Sequence, residues 1–244
     1  MNLEGFPESI KKDIEDQSLS ILEHIKDDII VIGGWAVRAL TEDKHGRYTL
    51  DIDGVTDKEG MHTVELKLSK LGMNIRRNEW GVQYYCKYHP QCPVPKDIRM
   101  NVDQLELRIE ISYPKIKESH THHFFEFSLS EFEKREIQYH LKDKSIIIKT
   151  PPVEHIAAVK LGLPVDYKNN FDAQVLLALC DVEKVIEVIQ KNDDWTEMVL
   201  RRIQKLIGRL QNPNRLEHIL AINSGLNIKD HVKKLQYIKR RLNS

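Results

Sequence analysis

Apolar residues recur along this chain with two different periods, and the change from one to the other divides it. Ile10, Ile14, Ile21, Leu22 and Ile25 fall at helical intervals and predict a helix over 8–26. The short apolar run 28–32 (DIIVI) stops at Gly33-Gly34, as a buried strand would, and 35–40 opens a second helix before the polar stretch 41–46. From Tyr48 to Val55 the period is two: Leu50, Ile52 and Gly54 share one face, and Thr49, Asp51 and Asp53 share the other. Helical spacing returns through Met61, Val64, Leu66, Leu68 and Leu71, closed by Gly72. A strand over 82–88 leads into a loop marked by Pro90, Pro93 and Pro95. Residues 104–112 alternate cleanly, with Leu105, Leu107, Ile109 and Ile111 against Glu106, Arg108 and Glu110. Further strands are expected at 122–129 and 145–149. Beyond Thr150-Pro151-Pro152 only helical patterns remain, over 153–163, 171–190, 195–210, 215–223 and 230–242. The expected architecture is therefore α+β: a mixed, mostly antiparallel sheet flanked by helices over 1–150, then an all-helical domain over 151–244.

Composition changes this picture little. The chain has 244 residues, 41% hydrophobic and 30% charged, which is the profile of an ordinary globular protein. No apolar run approaches the roughly 18–20 residues of a membrane span, so no membrane association is expected. The opening segment lacks the charged-then-apolar pattern of a secretion signal, and three cysteines are too few for a disulfide scaffold. A cytoplasmic protein is the expectation. Charge is more informative in its distribution: 37 basic and 37 acidic residues balance overall. Residues 1–30 nevertheless carry five more acids than bases, and 195–244 carries eleven bases against three acids. A basic end of that kind attracts phosphates.

The chemistry concentrates in 31–37 (VIGGWAV) and 47–53 (RYTLDID). A strand ending in Gly-Gly and opening a helix lets backbone N–H groups approach an anion with no side chain in the way, and the positive end of the helix dipole adds to the attraction. On the next strand Asp51 and Asp53 emerge on one face, at a spacing suited to shared Mg²⁺ ligation. Hard oxygen ligands beside a phosphate cradle are what a magnesium-bound nucleoside triphosphate requires.

Gly33-Gly34-x-Ala36, followed by Arg47-x-Thr49-x-Asp51-Ile52-Asp53, resembles the DNA polymerase beta-type nucleotidyltransferase superfamily. The Gly-Gly-Trp form is similar to the aminoglycoside and lincosamide nucleotidyltransferases, and the longer layout to the nucleotidyltransferase toxins of abortive-infection and toxin–antitoxin systems. The resemblance implies a metal-dependent transfer of a nucleoside monophosphate from a triphosphate such as ATP to a hydroxyl, with release of pyrophosphate. It implies two Mg²⁺ ions, or Mn²⁺ in their place, on Asp51 and Asp53, with Gly33, Gly34, Arg47 and Thr49 at the nucleotide. It also implies a third carboxylate on a later strand. Glu106 and Glu110 both qualify, and Glu110 is preferred because 107–112 (LRIEIS) is more similar to the superfamily's strand. A lysine pointing toward the triphosphate is matched by Lys160, within Pro152-x-Glu154-x-Ile156-Ala157-Ala158-x-Lys160. The acceptor stays open: RNA such as tRNA, with a toxin-like role and an antitoxin-type partner; a protein; or a small molecule of the antibiotic kind. An alternative of another class is a non-catalytic nucleotide- or partner-binding protein that keeps the fold.

Other clusters are weaker. Cys86, His89 and Cys92 give three ligands where zinc takes four, and nothing in the sequence selects a fourth. His120, His122 and His123 read as edge or surface histidines, Cys180 as a core thiol, and Trp35 as packing for the first short helix. Any of Tyr84, Tyr85 and Tyr88 could stack on a base.

Overall fold

The computed structural model describes residues 5–42, 48–117, 121 and 123–244. The chain divides into two units: Met1–Ala39, Gly46–Pro114 and Ser128–Thr150 form the first, and Leu40–His45, Lys115–Phe127 and Pro151–Ser244 the second.

The first unit holds a five-stranded sheet, one strand of which, over 74–78, no sequence pattern announces. Its strands are β1 (Ile30–Ile32), β2 (Asp51–Val55), β3 (Asn74–Asn78), β4 (Gly81–Lys87) and β5 (Glu106–Ser112), in the order β1-β2-β5-β4-β3. Only β2 and β5 run parallel; the other three pairings are antiparallel. Helices α1 (Glu8–Ile25), α2 (Gly33–Leu40), α3 (Lys58–Lys70) and the single turn α4 (Arg99–Val102) accompany the sheet. The apolar face of the alternation is buried: Ile52, Tyr84, Ile109 and Ile111 pack with Leu19, Leu22 and Ile25 of α1, Trp35 of α2, and Val64 and Leu68 of α3. Two short strands, β6 (Lys115–Lys117) and β7 (Phe124–Glu126), pair with each other, and a hairpin of β8 (Glu133–Gln138) and β9 (Ser145–Thr150) adds Ile137, Ile146 and Ile148 to the core. The sheet's other face keeps Asp51, Asp53, Arg108, Glu110 and Gln83 only partly buried.

The second unit is mainly helical: α5 (Val153–Gly162), α6 (Tyr167–Leu179), α7 (Val182–Gln190), α8 (Asp193–Gln211), α9 (Leu216–Asn223) and α10 (Ile228–Leu242). The β6–β7 pair belongs to this second unit and not to the first, and Phe125 of β7 meets Trp195 edge-on, with ring centroids 5.6 Å apart. Trp195 is fully buried against Gly162, where a Cβ would stand 2.2 Å from the indole nitrogen, and that nitrogen donates to the Ala158 carbonyl at 3.0 Å. The helix expected over 171–190 is two helices. Asp181 breaks it by accepting a hydrogen bond from the Glu183 N–H at 2.9 Å and so capping α7. No helix among the described residues is long and apolar enough to cross a membrane.

Candidate functional site

The site is built from one corner and one row. At the corner, β1 ends and α2 begins at Gly33, whose φ of +66° lies in the left-handed region that favours glycine. A Cβ there would stand 2.0 Å from Oδ2 of Asp53, so the glycine brings the backbone directly against that carboxylate. Gly34 meets Thr49 in the same way: a Cβ would lie 2.8 Å from its Cγ2 and 3.0 Å from its Oγ1. That Oγ1 is buried and has no hydrogen-bond partner among the described residues. Both glycines are thus required by close approach, and both approaches are to residues singled out in the sequence.

The row runs across the sheet. Register pairs Ile32 with Asp53, Asp53 with Glu110, Glu110 with Gln83, and Gln83 with Arg76. Paired residues on neighbouring strands project to the same face, roughly 4.8 Å apart, and Asp51 stands about 6.6 Å further along β2. Glu110, not Glu106, is therefore the acid opposite Asp53. Glu106 lies four residues earlier on β5 and forms an ion pair with Arg108 at 3.0 Å. Glu110 is held from its other side: Gln83 Nε2 donates to its Oε1 at 2.7 Å, and Gln83 Oε1 accepts from Arg76 at 3.4 Å. Gln83 escaped the sequence reading. Alternation places it on the polar face, but only register reveals that it stands beside Glu110.

A buried charged network ties the corner to its surroundings. Glu15 of α1 is fully buried and bonds Arg38 of α2; its Oε1 accepts from the Thr49 N–H at 2.5 Å, and its Oε2 lies 2.5 Å from His140 Nε2. Asp16 beside it accepts from the His140 and Leu141 N–H groups at 2.6 and 2.9 Å. One carboxylate thus fixes the helix after the glycines, the chain entering β2 and the β8–β9 turn. The only sequence signal was the set of acids beside the apolar stripe of α1.

Among the described residues, no three His, Cys, Asp or Glu side chains are gathered as a metal-binding group. What the face offers a cation is donor chemistry: the carboxylate oxygens of Asp51, Asp53 and Glu110 are the hard ligands that Mg²⁺ takes.

No protein-family model matches the chain, and no curated protein sequence does. Among solved structures, a candidate nucleotidyltransferase from H. pylori aligns over 98% of this chain and 98% of its own, with a TM-score of 0.50 and 15% identity. The chain has a nucleotidyltransferase fold. JHP933 from Helicobacter pylori aligns over 97% of this chain and 94% of its own (TM-score 0.47, 14% identity), and the antibiotic-resistance factor ANT(2'')-Ia over 78% and 97% (TM-score 0.48, 12% identity). The fold rests on the first of the three alone.

Within the nucleotidyltransferase fold the remaining sequence candidates fall as follows. Arg47, His120 and His122 lie outside the described residues. Lys160 is buried in the helical unit, 2.8 Å from Asp172 and 3.2 Å from the Asn169 side-chain oxygen, so its charge is already matched there. Of the three tyrosines, Tyr84 and Tyr88 are buried, the latter bonded to Asp13 at 2.5 Å, and Tyr85 alone sits on the carboxylate-bearing face. Burial pushes the Cys86 and Cys92 thiols up, which favours their protonated forms. The Cys180 thiol is pushed up to about 12 by burial. Trp35 is fully buried in the core of the first unit, and His123 bonds Glu197 at 3.2 Å.

Proposed function

We propose that this protein is a metal-dependent nucleotidyltransferase, moving a nucleoside monophosphate from a nucleoside triphosphate to an acceptor hydroxyl. The observation that carries the reading is the register of Asp53 with Glu110, on the face that Gly33 brings against the Asp53 carboxylate. When bound to Asp51, Asp53 and Glu110, Mg²⁺ or Mn²⁺ would neutralise phosphate charge and acidify the acceptor hydroxyl. The chain's own groups do the rest. The N–H groups opening α2 face the β- and γ-phosphates, and the close-packed corner keeps side chains out of their way. Glu110 takes the proton as the acceptor oxygen forms its bond to the α-phosphorus, and the bond from that phosphorus to the bridging oxygen of pyrophosphate breaks. Gln83 holds Glu110 in one orientation, which matters because such catalysis is mostly positioning.

The direct test is incubation with each α-labelled triphosphate, Mg²⁺ and a cell extract. Label should transfer to one class of acceptor, whether RNA, protein or small molecule; retention of triphosphate binding with no transfer under any condition would support a binding protein instead.

Two variants probe the geometry. In Gly33→Ala the new methyl must displace the Asp53 carboxylate and adopt a left-handed backbone that costs about 1–2 kcal/mol. Transfer should fall by ~10²-fold or more, together with a lower melting temperature. In Gln83→Leu the donor to Glu110 is lost on a partly exposed strand. Transfer should fall by about tenfold with triphosphate KM unchanged, and Gln83→Asn should be as poor because its amide is one methylene short. A Gln83→Leu enzyme with unaltered turnover would remove Gln83 from the site.

A further inference from the structure

We infer that the helical unit carries an RNA-binding groove between α8 and α10, separate from the carboxylate row. A cavity of about 450 Å³ lies there, lined by Gln204, Ile207 and Gln211 of α8 and by Gln236, Lys239, Arg240 and Asn243 of α10. Each set is a single helix stripe with spacings of three, four and seven residues. Four amides, two cations and one apolar floor residue form the lining, and no carboxylate is among them. Lys239 Nζ reaches across to Gln204 Oε1 at 2.7 Å.

Local charge has the right sign. The three acids of 195–244 are engaged elsewhere: Glu197 with Arg201 and His123, Glu217 with Arg209 and Asn170, and Asp230 with Lys233. Arg241 of α10 pairs with Glu183 of α7 at 2.9 Å, and Lys239 and Arg240 stand in a lining that holds no carboxylate among the described residues.

Gly208 is the second, independent observation. It lies four residues after Gln204 and three before Gln211, in the exposed face of α8, and a Cβ there would meet nothing within 4 Å. Packing does not require a glycine at this position, although one costs a helix interior about 1 kcal/mol relative to alanine. Gly208 is not one of the cavity's lining residues, but the bare backbone beside Gln204 and Gln211 would let a ligand in the groove approach the helix closely. Cations for phosphates, together with amides that both donate and accept toward ribose hydroxyls and base edges, match single-stranded RNA better than a protein surface or duplex DNA.

The groove does not depend on nucleotidyl transfer, and its test is binding by the full chain. Fluorescence anisotropy with an unstructured RNA of about 20 nucleotides, and with bulk tRNA as competitor, should show affinity that falls steeply with KCl. Lys239→Glu/Arg240→Glu should weaken binding at least tenfold and flatten the log–log salt slope by about 1.4, two phosphate contacts at roughly 0.7 each. Gly208→Tyr should weaken it comparably with no change of charge. Lys184→Glu/Lys191→Glu makes the same charge change on and just after α7 and should leave binding close to wild type. The inference is overturned if RNA does not bind, if the α7 pair is as damaging as the groove pair, if Gly208→Tyr binds normally, or if DNA of the same sequence binds equally well.

Discussion

Asp53→Asn is expected to lower the proposed nucleotidyl transfer by at least ~10³-fold while the fold is kept. The substitution is isosteric, and the side chain sits on the partly exposed face of β2, so it creates neither a cavity nor an overpacked contact. What it removes is the negative charge of the carboxylate that Gly33 stands against, one strand away from Glu110. Phosphoryl chemistry leaves a protein little to do except place and neutralise charge, so the loss falls almost wholly on the transition state. Asp51→Asn should be of similar severity, two positions away on the same face. Glu106→Gln, with its partner Arg108 on the surface, should cost less than tenfold. Rates measured under saturating triphosphate, with unchanged circular dichroism and melting, check the set. Near-wild-type turnover in both aspartate variants would end the proposed mechanism.

Glu15→Ala is the largest expected stability effect. Glu15 is fully buried, and its removal takes a bonded carboxylate from the Arg38 guanidinium and the acceptor from the Thr49 N–H. Breaking a buried ion pair from one side costs roughly 3–5 kcal/mol, against a total stability of about 5–15 kcal/mol for a typical domain. A drop of about 10 °C or more in the melting of the first unit is expected. Glu15→Leu/Arg38→Leu should be less damaging than the sum of its single changes, because it removes the guanidinium together with the carboxylate it bonds. Calorimetry of the four proteins closes the cycle, and additive losses would mean that the two side chains do not act as a pair.

What the sequence reveals follows from how local each signal is. The Gly-Gly corner and the Asp51–Asp53 face are readable because strand alternation and a chain break are written in consecutive residues. β3 (NIRRN) is not: it is exposed along its whole length, so it has no apolar alternation to detect. β8 (EKREIQ) hides behind its charges, with Ile137 its sole fully committed core residue. The α6–α7 break carries no glycine or proline, and only the Asp181 side chain marks it. Glu15, Arg38 and His140 come together across as many as 125 positions, and Gln83 meets Glu110 across 27, so both associations belong to register and packing and not to spacing. Lys160 shows the converse: a lysine at the motif's position is here matched to Asp172 inside the helical unit.

The central claim is that Asp51, Asp53 and Glu110 hold the metal-bound triphosphate beside the Gly33 corner. A crystal structure with Mg²⁺ and a triphosphate whose α–β bridge cannot be cleaved tests it most directly. The account predicts metal density touching carboxylate oxygens of both Asp51 and Asp53, with the terminal phosphates against the N–H groups that open α2. Triphosphate bound elsewhere, with no metal on that face of β2, would contradict it.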